Sequence, residues 1–390
     1  MSVYGAQHLQ HLRMIVTGGG TGGHTYPALT TINALRDRLS KAGVAPELLW
    51  VGVHGGLEET IAERAGVPFK AITTGKLRRT PTPRELLRNV VDAFRIPIGI
   101  GQAVLTVALK RPSVVLSTGG YVSVPIGLAA WIFRVPYLMH EQTLALGLAN
   151  RILARFATRV LLSQEPSLRH LTPSARERAA VTGNPIRPEL LAGDRGKGAA
   201  AFGLDPREPI LVVTGGAAGA QQINRLVAAV LPDVLPHCQV IHQCGSLSYA
   251  EMQEVAAGLP PHLAARYRVL DFIHEQMPDV LAAADIVLAR SGAGTVAELT
   301  ALGKPSILIP YGASAGGEQR STAQHLAGKG AAIMLDGPTA TPEHLRSELM
   351  SLVSDPARRA AMAGNAAAQG HPDAADRVVD EILAVVSRAA

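Results

Sequence analysis

Two stretches of this chain share one grammar. "RMIVTGGGTGGH" (13–24) and "ILVVTGGAAGAQ" (210–221) each place an apolar, β-branched run before Thr-Gly-Gly, then two residues, then Gly-Gly or Gly-Ala. A helical pattern follows each, "PALTTINALRDRL" in the first and "QQINRLVAAVL" in the second. Strand, glycine turn and helix form the opening unit of a doubly wound α/β domain. Because the unit occurs twice, at Thr17 and Thr214, the chain reads as two similar domains in tandem. Its 390 residues exceed what one ordinary core holds.

The intervening segments agree. Apolar runs at "LLWVGV", "VVLSTGG", "PYLMHEQ" and "RVLLSQ" alternate with helical stretches in the first half. "QVIHQCG", "RVLDFI", "DIVLAR" and "PSILIPY" do so in the second. Such alternation predicts parallel sheets with helices on both faces and ligands at the carboxyl ends of the strands. "TGNPIRPEL" (182–190), with Gly, Asn and two prolines, reads as the linker. The expected division is 1–183, 184–370, and a last amphipathic helix in 371–390 packing back on the first domain.

Gly18, Gly20 and Gly23 satisfy the spacing of a dinucleotide fingerprint, but its usual acid is missing at the end of "LLWVGVHGG". The second loop fails the spacing, so a nicotinamide or flavin enzyme is disfavoured. Both loops still suit an anion, because bare amides at a helix start bind phosphate and glycine lets it approach. In "ADIVLARSGAGTVAELTALGKPSILIPY" (284–311), the Gly-Ala-Gly-Thr turn can offer amides to a diphosphate, and Glu298 can accept both hydroxyls of a ribose. The spacing Thr295-x-x-Glu298 equally fits a capping box, in which the carboxylate serves only its own helix.

"GGGTGGHTYPAL", "STGGYVSVP", "HEQTLALGLANR", "GNPIR", "VVTGGAAGAQQIN" and "ARSGAGTVAELTALGKPSILIPY" occur in this order. Together they closely resemble the MurG family, from about Arg13 to the last helix. The resemblance implies a GT-B fold, two Rossmann-like domains facing each other across a cleft. It implies an inverting, β-1,4, metal-independent transferase. N-acetylglucosamine would move from its UDP conjugate to the undecaprenyl-linked muramyl-pentapeptide, lipid I, making lipid II. UDP-N-acetylglucosamine is then a co-substrate, and no cofactor is expected.

The same resemblance assigns residues. Arg187 and the backbone at Ile273 would face the uracil, and Glu298 the ribose. Ala293, Gly294 and Thr295 would meet the diphosphate through main chain. Asn224 and Arg290 match positions that matter in the family, and Gln319 one that contacts the sugar. Thr21, Gly22, Gly23, His24, Tyr121, Glu141 and Asn150 would surround the acceptor. Three positions depart from the family: Ala217 replaces a serine of the second glycine loop, Thr143 an amide, and Glu318 a Gln or His. These departures bear on donor affinity and keep open a nucleotide-sugar binding protein with weakened catalysis. A transferase using another glycolipid acceptor is the other alternative.

His24 is the first candidate base, since an imidazole titrates near pH 6.5 and general base help is typically worth about 10²–10⁴-fold. It could instead merely cap its helix. Glu141 is the rival base, or with His140 a buried pair fixing a loop. No metal site is expected, because "HCQVIHQC" (237–244) lacks the spacing of a zinc motif.

Charge is local. Residues 70–111 hold nine Lys or Arg against Glu85 and Asp92, which accounts for the whole net charge of +6. Leu86, Val90 and Phe94 recur at helical spacing beside arginines, the pattern of an anionic-membrane surface, or else of an ordinary core-facing helix. No nucleic-acid motif accompanies the charge, and aromatics are only 4 %. Two cysteines and an N-terminus without a signal-peptide pattern favour a cytoplasmic setting. A peripheral protein on the cytoplasmic face of the membrane is expected, with other cell-wall synthesis proteins as further candidate partners.

Overall fold

The computed structural model describes residues 11–75 and 83–389, and of residues 83–91, 93, 315 and 389 the backbone only. Lys76, Arg78 and Arg79 of the basic window lie outside the described residues. So do the side chains of Arg84, Leu86, Arg88 and Val90, and the first ten residues.

The chain divides into two units, Met1–Ile186 with Asp373–Ala390, and Arg187–Pro372. The first boundary falls a few residues beyond the expected one for a physical reason. Thr182, Asn184 and Ile186 are buried, and the Thr182 amide donates to Leu162 O, so the segment is held by the first unit.

The first unit is a seven-stranded parallel sheet in the order β3-β2-β1-β4-β5-β6-β7. Its strands are β1 (Arg13–Thr17), β2 (Glu47–Gly52), β3 (Phe69–Ala71), β4 (Val114–Ser117), β5 (Tyr137–Glu141), β6 (Arg159–Leu162) and β7 (Ala179–Val181). Val, Ile and Leu dominate the central strands because helices cover both faces. On one face α1 (Gly22–Ser40) and α2 (Leu57–Arg64) bury Ile32, Leu35, Ile61 and Ala62. On the other, α3 (Pro83–Lys110), α4 (Ser123–Ile132) and α5 (Leu148–Leu153) bury Ala103, Val107, Ile126 and Leu153. Strand order reverses between β1 and β4, which is where a ligand crevice opens in such sheets.

The second unit repeats the plan with six parallel strands, β10-β9-β8-β11-β12-β13. They are β8 (Ile210–Thr214), β9 (Gln239–Gln243), β10 (Tyr267–Leu270), β11 (Ile286–Ala289), β12 (Ser306–Leu308) and β13 (Ile333–Met334). Helix α6 (Gln221–Val234) follows the second glycine loop and buries Ile223, Leu226, Val227, Val230, Leu231 and Val234, one face at helical spacing. Helices α7 (Ala293–Ala301) and α8 (Glu318–Gly328) follow β11 and β12. Here the order reverses between β8 and β11, beside Gly215–Gly219 and Arg290–Gly292.

The last helix, α9 (Ala374–Ala389), belongs to the first unit. Val378, Val379, Ile382, Val385 and Val386 complete the core under α1. Arg159 holds Glu381 through two hydrogen bonds, of 2.7 and 2.8 Å, and Arg38 pairs with Asp376 and Asp380.

Candidate active site

In the first unit the glycine loop leaves β1 beside the end of β4. Gly18 has φ +155°, and a Cβ there would overlap Thr118 Oγ1, whose hydroxyl donates to His24 O at 2.7 Å. Beneath the loop lies Glu58, fully buried at the start of α2. Its carboxylate accepts from Gly20 N at 3.2 Å and Val53 N at 3.1 Å, and a Cβ on Gly19 would collide with it. The Gly20 amide is therefore committed to Glu58. The turn into α1, with Thr21 exposed at its N-cap and Gly22 and Gly23 opening the helix, supplies the loop's remaining amides.

His24 is the third residue of α1, half-buried, and does not cap its helix. Its Nδ1 meets Gln142 Oε1 at 2.9 Å. Gly119, at φ +98°, backs the ring: a Cβ there would lie 3.3 Å from His24 Nδ1 and 3.1 Å from Asn150 Nδ2. Tyr121 flanks the loop, its Cε1 3.3 Å from where a Gly20 Cβ would stand. His24, Tyr121 and Asn150 are thus gathered at one switch point.

Glu141, at the end of β5, is 2 % exposed and surrounded by donors. Oε1 accepts from Thr143 N at 3.0 Å and Thr143 Oγ1 at 2.8 Å; Oε2 accepts from Gly147 N at 3.0 Å and Asn150 Nδ2 at 2.9 Å. Four donors fill a carboxylate's ordinary acceptor sites. Glu141 holds the 142–147 loop. Thr143 Oγ1 interacts with Glu141 and with Ala145 O at 2.7 Å, so it too serves the loop. Asn150 Oδ1 is buried with no hydrogen-bond partner.

In the second unit, Glu298 sits in the middle of α7. Gly292 is the N-cap, so Thr295 lies inside the helix and no capping box forms there. The Glu298 carboxylate, one-quarter exposed, meets Arg187 Nη2 at 3.4 Å. Desolvation raises its pKa and Arg187 opposes the shift. Ala293, Gly294 and Thr295 form the first turn of α7, half-buried, at the positive end of the helix dipole. Ala217 is exposed in the glycine loop.

Ile273 is buried, and its amide is taken by Gln243 Oε1 at 2.9 Å. Gln243 Nε2 reaches Thr214 Oγ1 at 3.2 Å and Gly216 O at 3.1 Å, tying the glycine loop to the Ile273 turn. Gln319 Oε1 accepts from Tyr311 N at 2.9 Å, and its carbonyl accepts from Ser291 Oγ at 2.8 Å. Arg290 Nη1 donates to Gln222 Oε1, Ile309 O and Pro310 O at 2.9–3.1 Å, with its guanidinium 5.5 Å from the centre of the Tyr311 ring.

Asn224 does not join them. It is buried, donates to Cys244 O at 2.9 Å, and accepts from His242 Nε2 at 3.0 Å. His242, within β9, is accordingly neutral and structural, with burial pushing its pKa down to about 4.

Sequence reasoning assigned no role to Glu58, Gln142 or Gln243. Gln142 stood inside the quoted "HEQ" stretch; Glu58 carried no signal, since an acid in a helix's first turn is ordinary.

Comparison with known proteins follows the same division. Residues 14–162 match the family model for the glycosyltransferase family 28 N-terminal domain, and residues 210–378 that for the family 28 C-terminal domain. Curated relatives include the UDP-N-acetylglucosamine–N-acetylmuramyl-(pentapeptide) pyrophosphoryl-undecaprenol N-acetylglucosamine transferases of Desulforudis audaxviator and Treponema pallidum. The first is 36 % identical, covering 95 % of this chain and 98 % of the relative. The second is 37 % identical, covering 83 % and 82 %. Among solved structures, Acinetobacter baumannii MurG superposes with a TM-score of 0.74 at 25 % identity, over 95 % of this chain and 99 % of that one.

Proposed function

Since the chain belongs to glycosyltransferase family 28, in its MurG branch, we propose how its residues divide that branch's reaction. The enzyme moves N-acetylglucosamine from UDP-N-acetylglucosamine to undecaprenyl-diphospho-muramyl-pentapeptide, giving lipid II.

His24 Nε2 takes the proton of the acceptor sugar's 4-hydroxyl. The oxygen attacks C1 of the donor sugar from the side opposite UDP. The C1–O bond to the diphosphate breaks as the new bond forms, which inverts C1 and gives a β-1,4 linkage. Glu141 is not the base in this scheme, because four donors occupy its acceptor sites and leave no lone pair toward substrate.

UDP departs as an anion into the first turn of α7. There the amides of Ala293, Gly294 and Thr295 and the helix dipole stabilise the developing charge, without the scheme calling on a metal ion or cofactor. Glu298 accepts from the ribose hydroxyls beside Arg187. With its amide spent on Gln243, Ile273 has its carbonyl to accept the uracil N3–H. Gln319 and the Arg290 loop face the donor sugar, and Asn224 acts from beneath through Cys244.

The acceptor is lipid-borne, and α3 supplies a surface to meet it. Phe94, Ile98, Leu105 and Leu109 form one exposed apolar stripe, with Phe94 74 % and Leu109 69 % exposed. Trp131, Ile132 and Phe133, at and just beyond the end of the adjoining α4, are exposed too, and Arg95, Lys110, Arg111 and Arg134 lie among them. This is the composition of a helix that lies on an anionic leaflet. Among the described residues no helix is long and apolar enough to cross a membrane. A peripheral position on the cytoplasmic face follows from this reading.

The single observation that carries the proposal is structural duplication. Each unit sets a glycine loop and a helix start at the point where its strand order reverses. Incubating purified protein with labelled UDP-N-acetylglucosamine and a short-chain lipid I analogue tests it. Labelled disaccharide product is expected, cut by about 10²-fold or more in His24→Ala. In Glu298→Ala the loss should appear mainly as a raised KM for the nucleotide sugar. Undiminished turnover in both variants would refute the assignment.

A further inference from the structure

The hydrogen bonds behind His24 determine which of its nitrogens is the basic one. Gln142 Nε2 lies 2.8 Å from Thr118 O and 3.0 Å from His140 Nδ1. A carbonyl oxygen only accepts, so the amide nitrogen must be the atom on that side, and the Gln142 amide cannot be flipped. Its Oε1 therefore faces His24 Nδ1, at 2.9 Å, and an amide oxygen also only accepts. Nδ1 of His24 must carry the proton.

The next link closes the count. His140 Nε2 lies 2.8 Å from Gly183 O, so that nitrogen is protonated. His140 is 1 % exposed, and burial pushes its pKa down to about 4, so the ring is neutral and its Nδ1 holds a lone pair. The two hydrogens of the Gln142 amide then meet two principal acceptors, Thr118 O and His140 Nδ1. Gly183 is itself fixed: its amide donates to Leu162 O at 3.2 Å, and its φ of +83° is one that side chains rarely adopt.

We propose that Gln142 and His140 are positioning residues that hold His24 as the Nδ1–H tautomer, leaving the Nε2 lone pair free as the base, with the Gly183 carbonyl as the fixed end of the chain. The proposal rests on the reading of His24 as base. Neither Gln142 nor His140 touches substrate in it. With Gln142 replaced by an apolar side chain, the His24 proton is free to move to Nε2, the nitrogen that must accept.

Nitrogen NMR of histidine-labelled, full-length protein at pH 8 tests it, since the two neutral tautomers give different two-bond correlation patterns. Wild-type His24 should show a protonated Nδ1 and bare Nε2, and His140 the reverse. In Gln142→Leu, His24 should populate the Nε2–H form, and kcat should fall on the order of 10²-fold with KM for UDP-N-acetylglucosamine unchanged. Gln142→Asn, which keeps the amide, should recover part of the loss. A wild-type His24 protonated at Nε2, or a Gln142→Leu protein with unaltered tautomer and kcat, overturns the proposal. The wild-type spectrum decides even if the variant does not fold. Full activity in His24→Ala would instead defeat the base reading, a separate outcome that the spectrum does not produce.

Discussion

Asn150 Nδ2 donates to Glu141 Oε2 at 2.9 Å, so two of the side chains that sequence reasoning placed around the acceptor are bound to one another. The contact turns a candidate base into a clamp. Replacing Glu141 by Gln gives the site an NH₂ where two donors already point. Stability is expected to fall by about 1–3 kcal/mol, the cost of leaving buried donors unpaired. The pH–rate profile should keep its shape while its height drops. A profile whose acidic limb vanishes in Glu141→Gln would make Glu141 the base after all.

Glu58 predicts a loop defect without contact to either substrate. In Glu58→Ala the amides of Gly20 and Val53 lose a buried acceptor, which again costs about 1–3 kcal/mol for each group left unsatisfied. The loop between β1 and α1 should loosen. A lowered melting temperature and a raised KM for the lipid acceptor are expected, with KM for the nucleotide sugar little changed. Equal KM changes for both substrates would contradict a local role.

Acid should weaken both units together. His140 in the first and His242 in the second are each held at about 4 by burial, below the ordinary 6.5. Between these values the unfolded chain binds protons that the folded chain refuses. Stability is therefore complete above pH 6.5 and is lost as pH falls toward 4. For each histidine the loss approaches about 3 kcal/mol at pH 4. Urea midpoints at pH 7.5 and pH 5 measure it. His242→Gln should be less stable at the higher pH but show a smaller drop between the two; an identical drop would remove His242 from the argument.

The α3 stripe predicts a membrane phenotype separable from catalysis. Phe94→Glu with Ile98→Glu should reduce co-sedimentation with anionic vesicles at least tenfold, because each apolar side chain buried contributes about 1.5–3 kcal/mol. Turnover of a water-soluble acceptor analogue should be untouched. Retained vesicle binding would exclude this face.

The two sheets and their switch points were legible because β-branched runs ending in glycine announce themselves over short windows. The contest at Thr295 and Glu298 was not, since spacing alone cannot say whether the helix starts at Gly292 or three residues later. The positions of Glu58 and Gln142 were beyond reach for a different reason. Their partners lie 38 and 118 residues away, at Gly20 and His24, and nothing in either local stretch marks the pairing. Asn224 shows the limit of matching positions to a family: its motif is intact, yet its amide is spent on Cys244 and His242.

Helix α9 closes the core of the first unit with residues 378–386, although almost everything else in that unit precedes residue 187. During synthesis the amino-terminal half must wait, its apolar groove beneath α1 open to water, while some two hundred further residues emerge from the ribosome. The half begun first is completed last, and a chain stopped at Ile186 would carry that groove uncovered, an invitation to chaperones or to aggregation.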